Sequence, residues 1–302
     1  MQEFLQHIVN GITIGTFYAL CALGYTLVYG VLKFINFAHG DLSMWGAYLG
    51  MTVISVMIAL FGRGGPLYLI PAFLVAMLTM AIMGVIVERL VYRPTRKGSR
   101  LVPVVSALGV AFILESLARN IYGAAYQVYP RQVLFNIKWT ILGGVSVTLL
   151  QGVVLVVSLA LMLGLYLFVQ RTKIGTALRA VSLDQDTAML MGIDINRIIS
   201  ITFFLGPMLG AGGAVLLVMY YGSFDFTLGW LFGMKAFTAA ILGGIGNIPG
   251  AMVGGMLLGL IEALGAGYIS GQWKDVIAYA VLILILMVRP TGILGERTAE
   301  KL

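Results

Sequence analysis

Apolar runs long enough to bridge a bilayer follow one another along almost the whole chain, roughly at 8–30, 41–61, 67–88, 101–121, 149–169, 198–220, 229–246, 250–269 and 273–289. About 20 apolar residues in a helix cross the roughly 30 Å of hydrocarbon, so eight or nine crossings are expected. A lipid-facing backbone has no water to bond, which restricts spanning structures to helices and closed barrels. Unbroken apolar runs select helices over alternating ten-residue strands. Composition agrees: 60% of the residues are hydrophobic and 10% charged, against roughly 25% charged in an average soluble domain. The expected fold is an all-α, polytopic bundle forming one transmembrane domain over 1–302, with no soluble domain appended. No basic segment precedes the first run, which exceeds a signal h-region, so it reads as a retained span. The single cysteine, Cys21, lies inside it. Neither a disulfide framework nor a cysteine metal site is expected.

The net charge of +7 would point to nucleic acid in a soluble protein, but its placement argues against that. Of the 19 Lys and Arg, five fall in ERLVYRPTRKGSR (Arg89, Arg93, Arg96, Lys97, Arg100), four at Arg171, Lys173, Arg179 and Arg197, and three in the tail at Arg289, Arg297 and Lys301. Basic residues gathered in a few inter-helix segments mark the cytoplasmic side. Even numbers of crossings then separate the three segments, and three crossings before Arg89 put the N-terminus outside.

Polar residues inside the apolar runs are few enough to name. INFAHGD, Ile35–Asp41, places an amide, an imidazole, a glycine and a carboxylate between two spans. Gly40 is a candidate helix breaker, Asn36 and His39 are candidate partners for freed backbone groups, and Asp41 suits the N-cap or first turn of the next span. A polar turn at the interface and a helix break facing a water-filled cavity both satisfy this pattern. Lys235 and Glu262 have apolar neighbours on each side; either they snorkel or pair between helices, or they form a polar wall of a translocation path. Glu115 and Arg119, at i,i+4, are expected to pair. Small residues spaced by four at Gly246, Gly250 and Gly254, and at Gly255 and Gly259, predict close helix approach. Pro249 within GGIGNIPG adds the signature of a discontinuous helix.

No enzyme constellation emerges. His7 and His39 are the only histidines, HExxH and CxxC are absent, and the dipeptide Gly-Lys that a Walker A loop requires does not occur. Any ATP-driven process needs another subunit to hold the nucleotide. The segment 171–197 is long, polar and helix-prone, suited to docking a partner.

INFAHGD following YALCALGYTLVYG, then ERLVYRP, GMKAFTAAILGGIGNIPGAMVGG and the closing RPTGILG together resemble the H-type inner-membrane permease of branched-chain amino-acid ABC importers, over essentially the whole chain. The resemblance implies a multi-pass subunit of the bacterial cytoplasmic membrane. Its implied partners are a second, M-type permease, two ABC ATPase subunits that hold ATP and Mg, and a periplasmic binding protein. No cofactor in this chain and no nucleic acid are implied. The family's coupling helix corresponds to RAVSLDQDTAMLMGI, where Arg179, Asp184, Ala188 and Gly192 fall at its spacing; Asp184 stands where the general importer loop has Glu. The implied function is translocation of branched-chain or related small hydrophobic amino acids by alternating access, with Asn36, His39, Asp41, Lys235 and Glu262 as candidates for the path. Permeases for urea, amides or other amino acids resemble it too. An ion-coupled transporter or channel and a membrane scaffold are the rival classes.

Overall fold

A computed structural model describes residues 2–62, 65–96, 98–99, 101–130, 137–141 and 144–295. Lys97, Arg100, Arg297 and Lys301 of the expected basic segments lie outside the described residues. The helices in chain order are α1 (Gln2–Leu32), α2 (His39–Phe61), α3 (Leu69–Val87), α4 (Leu101–Tyr122), α5 (Leu149–Arg171), α6 (Lys173–Leu183), α7 (Gln185–Leu190), α8 (Ile195–Tyr221), α9 (Leu228–Gly243), α10 (Ile248–Tyr268) and α11 (Lys274–Val288). A wide π-type turn, Glu88–Tyr92, and a last turn, Arg93–Thr95, extend α3. Among the described residues, eight helices are long and apolar enough to cross a membrane, and the chain is an all-α multi-pass membrane protein.

The ninth candidate differs from its expectation. The run at 229–246 yields only the 16-residue α9, about 24 Å long at 1.5 Å per residue, which is short of the hydrocarbon thickness. Its end is set by Gly244 and Gly246, both at positive φ. Pro249 does not break a helix; it lies in the first turn of α10, where its missing N–H costs nothing, and Asn247 caps that turn by accepting from the Gly250 N–H at 2.9 Å.

Four short strands complete the fold among the described residues. β1 (Gln127–Val128) pairs antiparallel with β4 (Ser223–Phe224), and β2 (Lys138–Ile141) with β3 (Val145–Thr148). The β2–β3 hairpin lies against the start of α1, with Gln2 Nε2 donating to the Gly144 carbonyl at 2.7 Å and Gln6 Nε2 to the Ser146 carbonyl at 3.0 Å. The N-terminus therefore shares a face with the segment between α4 and α5. The arginines of the α3 end and helices α6 and α7 occupy the opposite face, as three crossings before Arg89 require.

The bundle is organised around α1, of whose apolar window 89% is buried, against 6% for α11. Apolar helices gain nothing from burial against one another in lipid, so close backbone packing must hold them. Glycines supply it. A Cβ on Gly15 would stand 2.7 Å from the Cα of Met256, one on Gly11 would stand 2.9 Å from the Cα of Leu260, and from the other side Gly255 and Gly259 meet the backbones of Ala19 and Gly15. Of the expected small-residue ridges, Gly255 and Gly259 form the seam between α10 and α1, Gly250 and Gly254 pack on Ala239 and Gly243 of α9, and Gly246 has nothing within 4 Å.

Gly15→Val should destabilise this seam by about 1–3 kcal/mol through overpacking, read as an earlier loss of the monodisperse peak when the purified protein is heated. Gly152→Val, where nothing lies within 4 Å, should leave the midpoint unchanged. Cysteines placed at Thr95 and Gln185 should label from one side of the membrane and a cysteine at Lys138 from the other; labelling of all three from one side contradicts the topology.

Candidate functional site

After Leu32 the chain does not simply turn at the surface. Lys33, at φ +57, takes the left-handed conformation that residues with a Cβ rarely adopt, and it directs residues 33–38 back into the bundle. His39 consequently lies beside Cys21 and Gly24 of α1, with its Nε2 3.2 Å from the Cys21 carbonyl. Cys21 precedes the end of α1 by about 16 Å of helix, so α2 begins deep in the bundle. A backbone break at that depth is tolerated only when protein surrounds it, and here Asn36, Ala38 and His39 are buried while Lys33, at the start of the segment, is exposed.

The residues of INFAHGD divide the work of satisfying that break. Asn36 Oδ1 accepts from the Ala38 N–H at 3.0 Å and from the Tyr92 hydroxyl at 2.5 Å. The His39 imidazole fills space left by Gly24 and Gly210 and meets the Tyr25 ring edge-on, with centroids 4.7 Å apart. Asp41 is the first-turn acid of α2, while Ala38 holds the N-cap position. Gly40 is not the breaker: it is helical, and its missing Cβ lets α9 approach at Gly229 and Gly233. Asn36 Nδ2, His39 Nδ1 and Asp41 Oδ1 are buried without a hydrogen-bond partner among the described residues. Each such atom costs about 1–3 kcal/mol. Three of them around one break mark a place where stability is not the only requirement.

Lys235 and Glu262 meet in a second cluster. Lys235 Nζ donates to Glu262 Oε1 at 2.9 Å and lies 2.6 Å from Asp275 Oδ1, while the Tyr18 hydroxyl donates to Glu262 Oε2 at 2.7 Å. Both Lys235 and Glu262 are buried, whereas the Asp275 side chain is 42% exposed. Four helices, α1, α9, α10 and α11, thereby share one ion cluster, and snorkelling is excluded as its description. Above it a cavity of about 290 Å³ opens between Tyr18, Leu231, Phe232, Lys235 and Asp275. Sequence reasoning missed Tyr18 and Asp275; the only available signal for the latter was a carboxylate in the first turn of a span. The expected Glu115–Arg119 pair does not form among the described residues. Arg119 instead lies over the Phe226 ring, 5.6 Å from its centroid.

The segment between α5 and α8 supplies the third element. Thr172 caps α6, accepting from the Gly175 N–H at 3.0 Å. Asp184 then caps α7, accepting from the N–H groups of Asp186 and Thr187 at 3.0 and 3.1 Å. Arg179 bonds Gln170, Gly192 ends the segment at φ +82, and Asp194 caps α8. Ala188 is buried in one apolar cluster with Val28, Val31, Leu178, Ile198 and Phe203. Gln185 Nε2 donates to the Val31 carbonyl at 2.6 Å. The opposite face is apolar and exposed, with Leu190 88% and Met191 79% accessible.

A re-entrant break, a shared buried ion cluster and a helical segment between α5 and α8 are thus built into one multi-pass membrane bundle. The chain belongs to the family described as branched-chain amino acid transport system / permease component, whose model matches residues 7–286. It is 42% identical to the high-affinity branched-chain amino acid transport system permease protein BraD of Pseudomonas aeruginosa, over 99% of this chain and 98% of that protein. It is 41% identical to LivH of Escherichia coli, described in the same words, over 99% and 97%. A probable branched-chain amino acid transport permease protein LivH of Methanocaldococcus jannaschii is 29% identical over 91% and 88%.

Lys235→Met leaves Glu262 buried beside Asp275 without a cation, and removing one partner of a buried pair costs about 3–5 kcal/mol. A lower melting temperature in detergent is expected, with recovery in Lys235→Met/Glu262→Met. If that stable double variant supports full uptake in cells, the cluster only holds the bundle together. Loss of uptake from a stable protein is the expected result.

Proposed function

We propose that this chain is the permease subunit of an ATP-driven importer of branched-chain or related small hydrophobic amino acids, resident in the bacterial cytoplasmic membrane. It works with a second, M-type permease, two ATPase subunits that hold ATP and Mg, and a periplasmic binding protein. The chain itself carries out no bond chemistry; it supplies half of a path that opens alternately to either side. The relatives' functions support this reading, and one observation carries it: α6 and α7 pack one face into the bundle and leave Leu183, Leu190 and Met191 exposed on the other, which suits a cytoplasmic lever. Large apolar side chains on a helix outside the membrane fit a partner's groove.

The same lever offers a route for mechanical work. ATP-driven closure of the partners pushes α7. Its Gln185 bond to Val31 and its packing against Val28 and Val31 carry the displacement to the end of α1, where the re-entrant segment begins. Asn36, bonded to Tyr92, passes it to the end of α3. His39 and Asp41, together with Lys235 and Glu262, form the polar part of an otherwise apolar path. Arg179, Asp184, Ala188 and Gly192 hold the lever's shape.

Purification in mild detergent should recover a second permease and two ATPases with the tagged chain; recovery of the chain alone, after cross-linking too, defeats the importer reading. Gly192→Val puts a β-branched residue at φ +82, a strained conformation. It should reduce substrate-coupled uptake by about ten-fold or more while ATP hydrolysis by the assembled complex persists. Normal uptake in that variant removes the lever assignment.

A further inference from the structure

A further site lies between the cytoplasmic end of α3 and the start of α8, where the segment that carries the lever ends, apart from the break and the ion cluster. A cavity of about 420 Å³ is lined there by Val85, Arg89, Arg93, Asp194, Asn196, Arg197, Ser200, Ile201 and Phe204. Its charges fall into two groups. Arg93 is committed: it forms a bidentate pair with the fully buried Glu88, at 3.1 and 3.0 Å, and also donates to Ser200 Oγ at 3.0 Å. Ser200 donates in turn to Glu88 Oε2 at 2.8 Å. Arg89 and Arg197 have no ion-pair partner among the described residues. The facing acid, Asp194, accepts from the Arg197 backbone N–H at 3.2 Å. With Glu88 offset by Arg93, two free guanidinium groups face one carboxylate, and the cavity carries an excess positive charge.

Depth decides what that charge meets. Counting about 20 residues of helix across the hydrocarbon from Leu69 brings Arg89 to the cytoplasmic interface. Val85 lies one turn deeper on α3, and Ile201 and Phe204 lie about one and two turns beyond Arg197 on α8, so the cavity is charged at its rim and apolar below. The apolar part continues outside it: Leu78, Ile82 and Ile86, at intervals of four on α3, are 52%, 57% and 41% exposed. We infer that this cavity binds the phosphodiester headgroup of an anionic phospholipid through Arg89 and Arg197, with an acyl chain lying along the exposed face of α3. Free phosphate would use the rim alone and leave the apolar channel without a role. Two arginines at the interface are suited to one phosphodiester. The π-type turn at Glu88–Tyr92 gives the site a connection to the bundle, because Tyr92 on that turn bonds Asn36 of the re-entrant segment.

The test is native mass spectrometry of the purified protein, with the subunits that accompany it, titrated with phosphatidylglycerol in a phosphatidylcholine background. One phosphatidylglycerol per copy should be retained. In Arg89→Gln/Arg197→Gln the midpoint should rise about thirty-fold, from roughly 1 kcal/mol for each arginine near the surface. Arg89→Lys/Arg197→Lys should stay within a few-fold of the wild type, and Arg171→Gln/Lys173→Gln, outside the cavity, should not change it. Equal retention of phosphatidylcholine, or displacement by tens of millimolar inorganic phosphate, overturns the assignment. So does a glutamine variant that keeps its lipid but loses an accompanying subunit, since the arginines would then serve a protein contact.

Discussion

The re-entrant segment and its surroundings follow from one constraint: a backbone interrupted inside a membrane must find its hydrogen bonds within the protein. The segment after α1 meets that constraint by doubling back, so that its turn is enclosed by α1, α3, α8 and α9. The enclosure explains the glycines around it, since Gly24 and Gly210 leave room for the His39 ring and Gly229 and Gly233 admit the start of α2. It also explains why the most hydrophilic cluster of the first third of the chain is buried. A polar turn at the surface would need neither the imidazole nor the surrounding small residues.

Much of this was legible from pattern alone. Lipid as solvent leaves long apolar runs and clustered arginines as strong signals, so the helical class, the number of crossings to within one and the shared face of the α3-end arginines and the 171–197 segment follow from the residues. Small-residue spacing likewise locates the seam of α10, because only Gly permits that approach. The geometry of the break was less accessible. Gly40 carries the composition of a breaker, yet Lys33 takes the left-handed turn, and the energy that holds it there comes from burial of the following residues. No local propensity records that energy.

The ion cluster shows the same division. A lone Lys and a lone Glu within apolar runs announce that something must compensate them, but not that Tyr18 and Asp275 take part, since those partners are brought together only by four helices closing. Glu115 and Arg119 illustrate the reverse error. Their spacing on one helix favours a pair in isolation, worth a few tenths of a kcal/mol, and a nearby aromatic ring from the β4–α9 connection is enough to redirect the guanidinium. Weak local preferences give way wherever tertiary contacts of comparable energy are available.

The two polar clusters are not independent, because α9 contacts both. Its Gly229 and Gly233 pack on Asp41 and Gly40 at the start of α2, and one turn or less further on Lys235 joins Glu262 and Asp275. The helix is too short to span the hydrocarbon; it begins after Thr227 and ends at Gly244, at φ +107. Its first half packs on α2 and its last turn on α10, where Gly243 meets the Gly250 backbone. In the alternating-access reading, a shift of α9 away from α2 opens the break while pulling Lys235 against two carboxylates that belong to other helices. In that reading the buried pair resists such a switch of α9, because attraction between charges is stronger in low dielectric. A lever that displaces the end of α1 acts on the same switch from the cytoplasmic side, through the segment that Asn36 ties to α3.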